Sequence, residues 1–408
     1  MNVVPYDFNL RHLRAISAIH DHGSISAAAK VVNLSQPALT QGIAKIEKQL
    51  GYSLFERRSR GMVVTPTGHI LVLRIEAAIK HLARGAKGLN KTFQQPDRLI
   101  TMTQIRAFIA TADAGSFIAA ARKTGLSQTA IHRAVGDLEY VAGIKLIERR
   151  GQGLWLNNFG KKLALGARLA VAELNAAISD IGLEMDGETI SIGASPLSRT
   201  FLVPAAMAKL IDQEPKARIN IVEGSWRELT ESLREGVIDM IVGAVRPSDI
   251  ADLDQIPLYE DCLVVAAGKQ HPLAGTKHPS IDMLSHYPWI VGPANSPLRA
   301  HWERLFKGHE LPPSPIDCGS VMIIGRLLTD GNYLTLLSPD QVALQIRSGL
   351  LVQIGEQLDD TARIIGVSTR KGWRPTILQR QFTTILTHVA STMKSPESLG
   401  TEIYPNWR

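Results

Sequence analysis

The chain holds two cysteines, Cys262 and Cys318, among 408 residues. That is too few for a disulfide framework or a cysteine-rich zinc site, and both read as small buried apolar side chains. No uninterrupted apolar run is long enough to span a bilayer. The opening MNVVPYDFNLRHLR lacks the basic-then-apolar pattern of a secretory signal. A soluble cytoplasmic protein with no membrane partner is expected. No P-loop, no GxSxG, no HExxH and no metal-spaced His/Cys group occurs, so the reading is of a protein that is not an enzyme, with no cofactor and no metal. His301 and His309 flank Glu303 and Glu310, which a surface helix explains. Trp226, Trp289, Trp302 and Trp373 read as core or lobe-edge packing.

What the chain does have is a repeat. Gly23 to Gly61 reads GSISAAAKVVNLSQPALTQGIAKIEKQLGYSLFERRSRG, and Gly115 to Gly153 reads GSFIAAARKTGLSQTAIHRAVGDLEYVAGIKLIERRGQG. A constant shift of about 92 positions aligns the copies without a gap, with about a third of the pairs identical. Each copy reads as three helices and a hairpin. Leu13, Ile16 and Ile19 recur at helical spacing, and that first helix ends near Asp21-His22-Gly23. Ser24 or Ser26 caps a second helix with an alanine triplet, which suits close helix approach. Asn33, or Gly125 in the copy, closes it as a residue tolerant of positive φ. Ser35 caps a third helix, with Pro37 in its first turn. Leu39, Ile43, Ile46 and Leu50 line one face of that helix, and Gln36, Thr40, Gln41 and Lys45 the other. Gly51 stops it, and Leu54 to Val64 follows as two short strands around a polar tip. This is the pattern of a winged helix-turn-helix whose third helix is placed for a major groove.

LSQPALTQGIAKIEKQLGYSLFERR, followed by Thr65-Pro66-Thr67-Gly68, resembles the DNA-binding segment of LysR-type transcriptional regulators. The second copy departs from that pattern, with Thr129 in place of Pro and Asn157-Asn158 in place of Thr-Pro. The resemblance implies that the helix from His69, HILVLRIEAAIKHLA, is a linker helix that pairs antiparallel with the same helix of a second subunit. The second copy carries its own such helix, KKLALGARLAVAELNAAISDIGLEM.

From Glu188 short strands alternate with helices, which predicts a parallel α/β sheet. Thr189–Ala194, 218–222, 240–243, 258–267, 289–291, 316–319, 334–337, 350–354 and 362–368 read as strands, and 198–211, 228–235 and 375–393 as helices. The order resembles the effector domain of LysR-type regulators, a two-lobed fold like periplasmic binding proteins. GETISIGASPLSRTFLVPA, YPWIVGPANSPLRAHWERLF, LLTDGNYLTLLSPDQV and TRKGWRPTILQRQF resemble the branch that includes the regulator of a bacterial galactose-binding protein. The expected fold is therefore multidomain: two winged helix-turn-helix modules with linker helices, then a two-lobed α/β effector domain. The expected boundaries are 1–68 for the first module, 69–90 for its linker helix, 91–98 for a connector, 99–160 for the second module, 161–186 for its linker helix, 187–394 for the effector domain and 395–408 for a loose tail. Residues 1–8 read as a frayed lead-in.

The charge agrees. Of a net +7, residues 1–95 carry about +8, 96–183 about +4 and the remainder about −5. A basic half suits phosphate contact. The candidate DNA contacts are Ser35, Gln36, Pro37, Thr40, Gln41, Lys45, Arg57 and Arg58, and in the copy Ser127, Gln128, His132, Arg133, Arg149 and Arg150. Gln reads adenine bidentately, Lys reaches guanine or phosphate, and Ser at a helix start meets phosphate. In the effector half, small polar residues at the carboxyl ends of strands are the expected ligand positions: Ser195, Leu197, Ser198, Ser225, Ala244, Arg246, Asn295, Ser296 and Ser320. Helix N-termini beside Ser198 and Ser296 are expected to donate N–H groups to an anion.

The sequence thus reads as a LysR-type regulator that binds double-stranded DNA and senses a small metabolite, a carboxylate, aromatic acid or sugar acid. A homo-oligomer, dimer or tetramer, and contact with RNA polymerase are the further partners implied. The connector from Gly88 to Leu99 spans up to roughly 35 Å, long enough for the two linker helices of one chain to pair as a pseudo-dimer. The alternatives are an idle or protein-binding second module, and a ligand-independent architectural DNA binder.

Overall fold

Twice in succession the chain builds the same unit, as seen in a computed structural model that describes residues 3–59, 61–89, 91–151, 153–182, 188–246 and 250–392. The first unit is α1 (Leu10–His22), α2 (Ile25–Val32), α3 (Gln36–Leu50), β1 (Phe55–Arg58) and β2 (Gly61–Val64), continued by the long α4 (Pro66–Ala86). After α5 (Pro96–Leu99), the second is α6 (Met102–Ala114), α7 (Phe117–Thr124), α8 (Gln128–Ala142), β3 (Ile147–Arg150), β4 (Gly153–Leu156) and α9 (Asn158–Asp180).

Matching caps explain the match. Ser24 Oγ accepts from the Ala27 N–H, so Ser24 and not Ser26 is the cap; Ser116 Oγ does the same for Ala119. Asn33 (φ 54°) and Gly125 (φ 72°) close α2 and α7 in the left-handed region, where asparagine and glycine are best tolerated. At Gly68 and Gly160 a Cβ would run into the Leu54 and Leu146 carbonyl oxygens. Both long helices therefore start hard against their own hairpins. α4 begins at Pro66, three residues before the expected His69.

α4 and α9 form the largest helix–helix interface among the described residues. They run antiparallel: Arg74 of α4 meets Glu173 and Asp180 near the end of α9, while Gly85 near the end of α4 meets Gly166 and the Lys162 carbonyl near its start. A Cβ on either glycine would strike the opposing backbone, so the crossing requires both to be bare. Arg74 Nη1 donates to Glu173 Oε2 at 2.9 Å, and its Nε and Nη2 donate to Asp180 Oδ2 at 3.0 and 2.8 Å. Burial works against the Arg74 charge, but these two carboxylates outweigh it and raise its pKa.

From Val3 onward the expected frayed lead-in is instead packed; residues 1–2 lie outside the described residues. Val3 and Phe8 are buried, and the turn Pro5–Asp7 lies against α6 and α9 of the second unit, with Arg106 5.5 Å from the Tyr6 ring centre. The reciprocal contact comes from α5, the segment before the second unit, which packs on α1 and α4 of the first. There Arg14 Nη1 holds the buried Asp97 carboxylate at 2.6 Å. One apolar cluster runs from Val3 to Ile181 through both units and both long helices. The apolar faces seen in the sequence of α4 and α9 are therefore satisfied within the chain.

The remainder is β5 (Thr189–Ala194), α10 (Leu202–Gln213), β6 (Arg218–Glu223), α11 (Trp226–Arg234), β7 (Met240–Ala244), β8 (Leu253–Gly268), α12 (Ile281–Ser285), β9 (Trp289–Val291), α13 (Pro297–Leu305), β10 (Ile316–Asp317), α14 (Val321–Asp330), β11 (Leu334–Leu337), α15 (Pro339–Arg347), β12 (Leu351–Arg370) and α16 (Ile377–Thr392). Eight strands form one sheet in the order β10-β9-β11-β8-β12-β7-β5-β6. The expectation of a parallel sheet is corrected to a mixed one. β5 with β6 and β7, and β9 with β10 and β11, are parallel, but β8 and β12 run antiparallel to each other and to β11 and β7. The two long strands β8 and β12 run from one lobe of the sheet domain to the other, and local alternation with helices does not reveal their direction. The expected strands 350–354 and 362–368 are one strand, β12, interrupted by register shifts between Ile354 and Leu358 and between Leu358 and Arg363. Separate cores lie on either side of the crossing, one under α10 and α16 and one around Trp289, Trp302 and Phe306. Cys262 and Cys318 are half-buried, not buried. The expected end of the second linker helix and the tail fall partly or wholly outside the described residues.

Candidate functional site

On α3 the packing side is closed and the other side is open. Leu39, Ile43, Ile46 and Leu50 are buried, while Ser35, Gln36, Pro37, Thr40, Gln41 and Lys45 are all exposed. Ser35 Oγ accepts from the Ala38 N–H at 3.3 Å, which spends it as a cap, and Thr40 Oγ1 donates to the Gln36 carbonyl. Gln36, Gln41 and Lys45 are exposed on the outer face, and none of their side chains has a hydrogen bond or ion pair among the described residues. Arg57 and Arg58 are exposed on the hairpin; Arg58 is 3.0 Å from Glu56.

α8 repeats this arrangement with a different outer face. Ser127, Gln128, His132 and Arg133 are exposed. His132 rests edge-on against Phe117, ring centres 5.0 Å apart, and Arg133 Nε lies 3.8 Å from Asp137. Asp137 occupies the position of Lys45, a charge reversal that the sequence carries at a shift of 92 but that residue-type matching alone passes over. Arg149 and Arg150 are exposed on the second hairpin, with Arg150 3.1 Å from Glu148.

In the sheet domain the candidates gather at strand ends on both sides of the crossing. Ser195 and Leu197 follow β5, Ser225 follows β6, Ala244 ends β7, and Arg246 lies just beyond it. Asn295 and Ser296 follow β9, and Ser320 follows β10. Ser195 Oγ is buried over Gly243 and has no hydrogen-bond partner among the described residues. Ser198 is corrected: the helix begins at Leu202, so Ser198 is not at its start, and its buried hydroxyl donates to the Val242 carbonyl at 2.7 Å. Ser225 is an exposed cap bonded to Glu228, and Ser296 caps α13 through the Arg299 N–H. Ser320 precedes α14 without a side-chain cap. Arg246 sits over the Trp226 ring at 5.7 Å, and Asn295 holds a positive φ of 62°.

A polar cluster at the crossing was not foreseen. Asp261 accepts from Ser338 Oγ (2.7 Å) and from Arg363 Nε and Nη2 (2.9 and 2.7 Å), while Tyr259 donates to Asp340 at 3.2 Å. Gln341, at the start of α15 in the second lobe, donates from Nε2 to the Pro196 carbonyl in the first lobe, 3.3 Å away. Burial pushes the Asp340 carboxyl up, and burial with Asp340 and Asp261 nearby pushes the Tyr259 phenol up. These residues join the β5–α10 loop to the second lobe beside Ser195. The alternating pattern of β8 and β12 gave no sign of them, because their partners lie 77 to 102 residues away.

The model for the bacterial regulatory helix-turn-helix protein, lysR family, matches residues 10–69 and again 102–161, and the LysR substrate binding domain matches 184–391. The HTH-type transcriptional regulator GalR of Pseudomonas putida is 31% identical over 371 residues, 89% of this chain and 93% of that one. The chain belongs to the LysR family of transcriptional regulators. This LysR regulator is also 27% identical to the HTH-type transcriptional regulator PcaQ of Agrobacterium fabrum, over 92% of that protein but only 69% of this chain. GalR is thus of similar length, and PcaQ is shorter. Full-length OxyR from Pseudomonas aeruginosa shares the fold at a TM-score of 0.56 and 18% identity, over 71% of this chain and 94% of its own. The relatives are DNA-binding regulators with an effector domain, not enzymes. Among the described residues no helix is long and apolar enough to cross a membrane.

Proposed function

We propose that this LysR regulator presents two DNA-reading surfaces from one polypeptide, an intrachain pseudo-dimer, under the control of a small carboxylate, aromatic acid or sugar acid bound between the two lobes. In this reading residues 1–68 and 99–160 are the DNA modules, 187–394 is the sensor, and the modules descend from a duplication. The observation that carries the reading is the buried Arg74–Glu173–Asp180 cluster between α4 and α9. It is complementary only in the mixed pair. At the same antiparallel register, two copies of α4 would set Arg74 against His81 and Gly88, and two copies of α9 would set Glu173 and Asp180 against Gly166, so each same-helix pair leaves a charge without its counter-charge. The exchanged lead-ins, Pro5–Asp7 onto one unit and α5 onto the other, support the same pairing.

Gln36 and Gln128 are the proposed base readers, Arg57, Arg58, Arg149 and Arg150 the phosphate or minor-groove contacts, and Lys45 a further contact of the first module. Because α3 and α8 differ at the exposed pairs Pro37/Thr129, Thr40/His132, Gln41/Arg133 and Lys45/Asp137, the two half-sites are unlike and the operator is asymmetric. The unpartnered Ser195 hydroxyl, close to the Gln341–Pro196 link, favours the lobe junction as the effector site. Further assembly through the sensor and contact with RNA polymerase belong to this proposal as well.

The test is footprinting of the full chain on its own upstream region, with the Gln128→Ala, Arg133→Ala double variant beside it. Protection lost from one flank only is the expected outcome. A perfectly palindromic footprint with that double variant unaffected would overturn the pseudo-dimer. DNA binding and bending that no carboxylate or sugar acid alters would favour an architectural role.

A further inference from the structure

Between the α4–α9 pair and the first lobe lies a cavity of about 310 Å³, at the small end of the roughly 300–1,000 Å³ typical of metabolite sites. None of the candidate effector residues lines it. His81 and Arg84 reach it from α4, Lys162 from α9, and Arg370, Lys371 and Arg374 from the end of β12 and the turn beyond. Two carboxylates oppose these cations. Glu173 is already held by Arg74 at 2.9 Å. Asp239 is half-buried, accepts from the Ser191 N–H at 2.8 Å, and has its pKa pushed up by desolvation. Arg370 spends Nη1 on the Leu233 and Ile238 carbonyls, with no carboxylate bonded to it. Arg84, Lys162, Lys371 and Arg374 make no ion pair with a carboxylate among the described residues.

The result is a concave site with a surplus of positive charge. His81 registers it: burial first, then repulsion from Arg84, Arg370, Arg374 and Lys80, lowers its pKa to about 4. Glu173 lies 3.9 Å from its Nε2, a distance at which a free carboxylate would pull the other way. Arg74 already neutralises that carboxylate, so the repulsion dominates.

We propose that this cavity is a second effector site, specific for a small phosphate-bearing dianion. Guanidinium forks from α4 and from the turn after β12 suit phosphate oxygens bidentately, with the lysines as point charges around them. The cavity walls belong to three different elements: one long helix of each DNA unit and the first lobe. A bound dianion ties all three together, so it acts on how the units are held relative to the sensor. It can do so only to the extent that it binds one arrangement better than another.

The test titrates the full chain, without DNA and at fixed ionic strength, with inorganic phosphate and with glycerol 3-phosphate by calorimetry. Saturable binding at one site per chain is expected for at least one of them, and which one binds separates the free ion from an ester. The Arg84→Gln, Arg374→Gln double variant should bind at least tenfold more weakly, with its ligand-free melting temperature unchanged, since neither side chain makes a described hydrogen bond. Lys371→Glu, on an exposed turn, should weaken binding in the same direction and serves if the double variant does not fold. Absence of saturation with both anions overturns the proposal, and so does undiminished affinity in a folded variant.

Discussion

The two DNA units differ least where the fold constrains them and most where a groove would meet them. Ser24 and Ser116, Ser35 and Ser127, Gly23 and Gly115, Gly51 and Gly143, Gly68 and Gly160 do the same capping or close-packing work in both. Among the exposed polar side chains of the third helix, Gln36 and Gln128 agree. Thr40 becomes His132, Gln41 becomes Arg133, and Lys45 becomes Asp137. A shared scaffold with a divergent face is what results when packing is held fixed and recognition is free to change. The second face also carries an acidic group beside its arginine, which weakens its pull on phosphate relative to the first.

The largest effect that bears on this comparison is on the pairing itself. Arg74→Ala leaves the buried Glu173 without its arginine and the half-buried Asp180 with only Arg380, 3.6 Å away, and breaking a buried pair in this way costs about 3–5 kcal/mol. Chemical denaturation of the full chain should show a loss of that order. A loss below about 1 kcal/mol would mean that the α4–α9 contact does not organise the units. Next, Gln36→Ala and Gln128→Ala should each cost about 1–3 kcal/mol in DNA affinity, at opposite flanks in quantitative footprinting; losses at the same flank would refute separate readers. A smaller effect is expected of Asp137→Lys, which restores the first unit's charge to the second. The slope of log affinity against log salt should steepen by about 0.9 if the new lysine meets one phosphate.

The smallest effect concerns pH. With a folded pKa of about 4 against an ordinary 6.5, His81 is neutral in the folded chain while the unfolded chain takes up the proton. It costs no stability above pH 6.5, and erodes stability as pH falls from 6.5 towards 4. His81→Gln removes that erosion. The variant should therefore gain on the parent in melting temperature across this window and match its pH dependence above it.

Most of the DNA half was legible in the sequence because its determinants are local. A serine before a helix, a glycine after it and an apolar residue every third or fourth position act within one turn, and their repetition at a fixed shift doubled the signal. The lead-in was misread because the turn Pro5–Asp7 packs on α6 and α9 of the second unit, a contact with no local signature. The sheet was misread for the same reason, since the direction of β8 and β12 depends on their being shared between lobes. Ser198 looked like a helix cap, but three more residues intervene before α10 starts at Leu202, and the hydroxyl is taken by the Val242 carbonyl. Asp261, Arg363, Ser338 and Gln341 come together only through the long crossing strands.

Covalent continuity through α4, the connector and α9 has one more consequence. Helices that pair across separate subunits come apart on dilution, so such a regulator needs a threshold number of molecules per cell. Here the partner helix travels on the same backbone at a fixed effective concentration. The pairing of α4 with α9 therefore needs no threshold concentration, and in the proposed pseudo-dimer either reading surface can mutate without altering its twin.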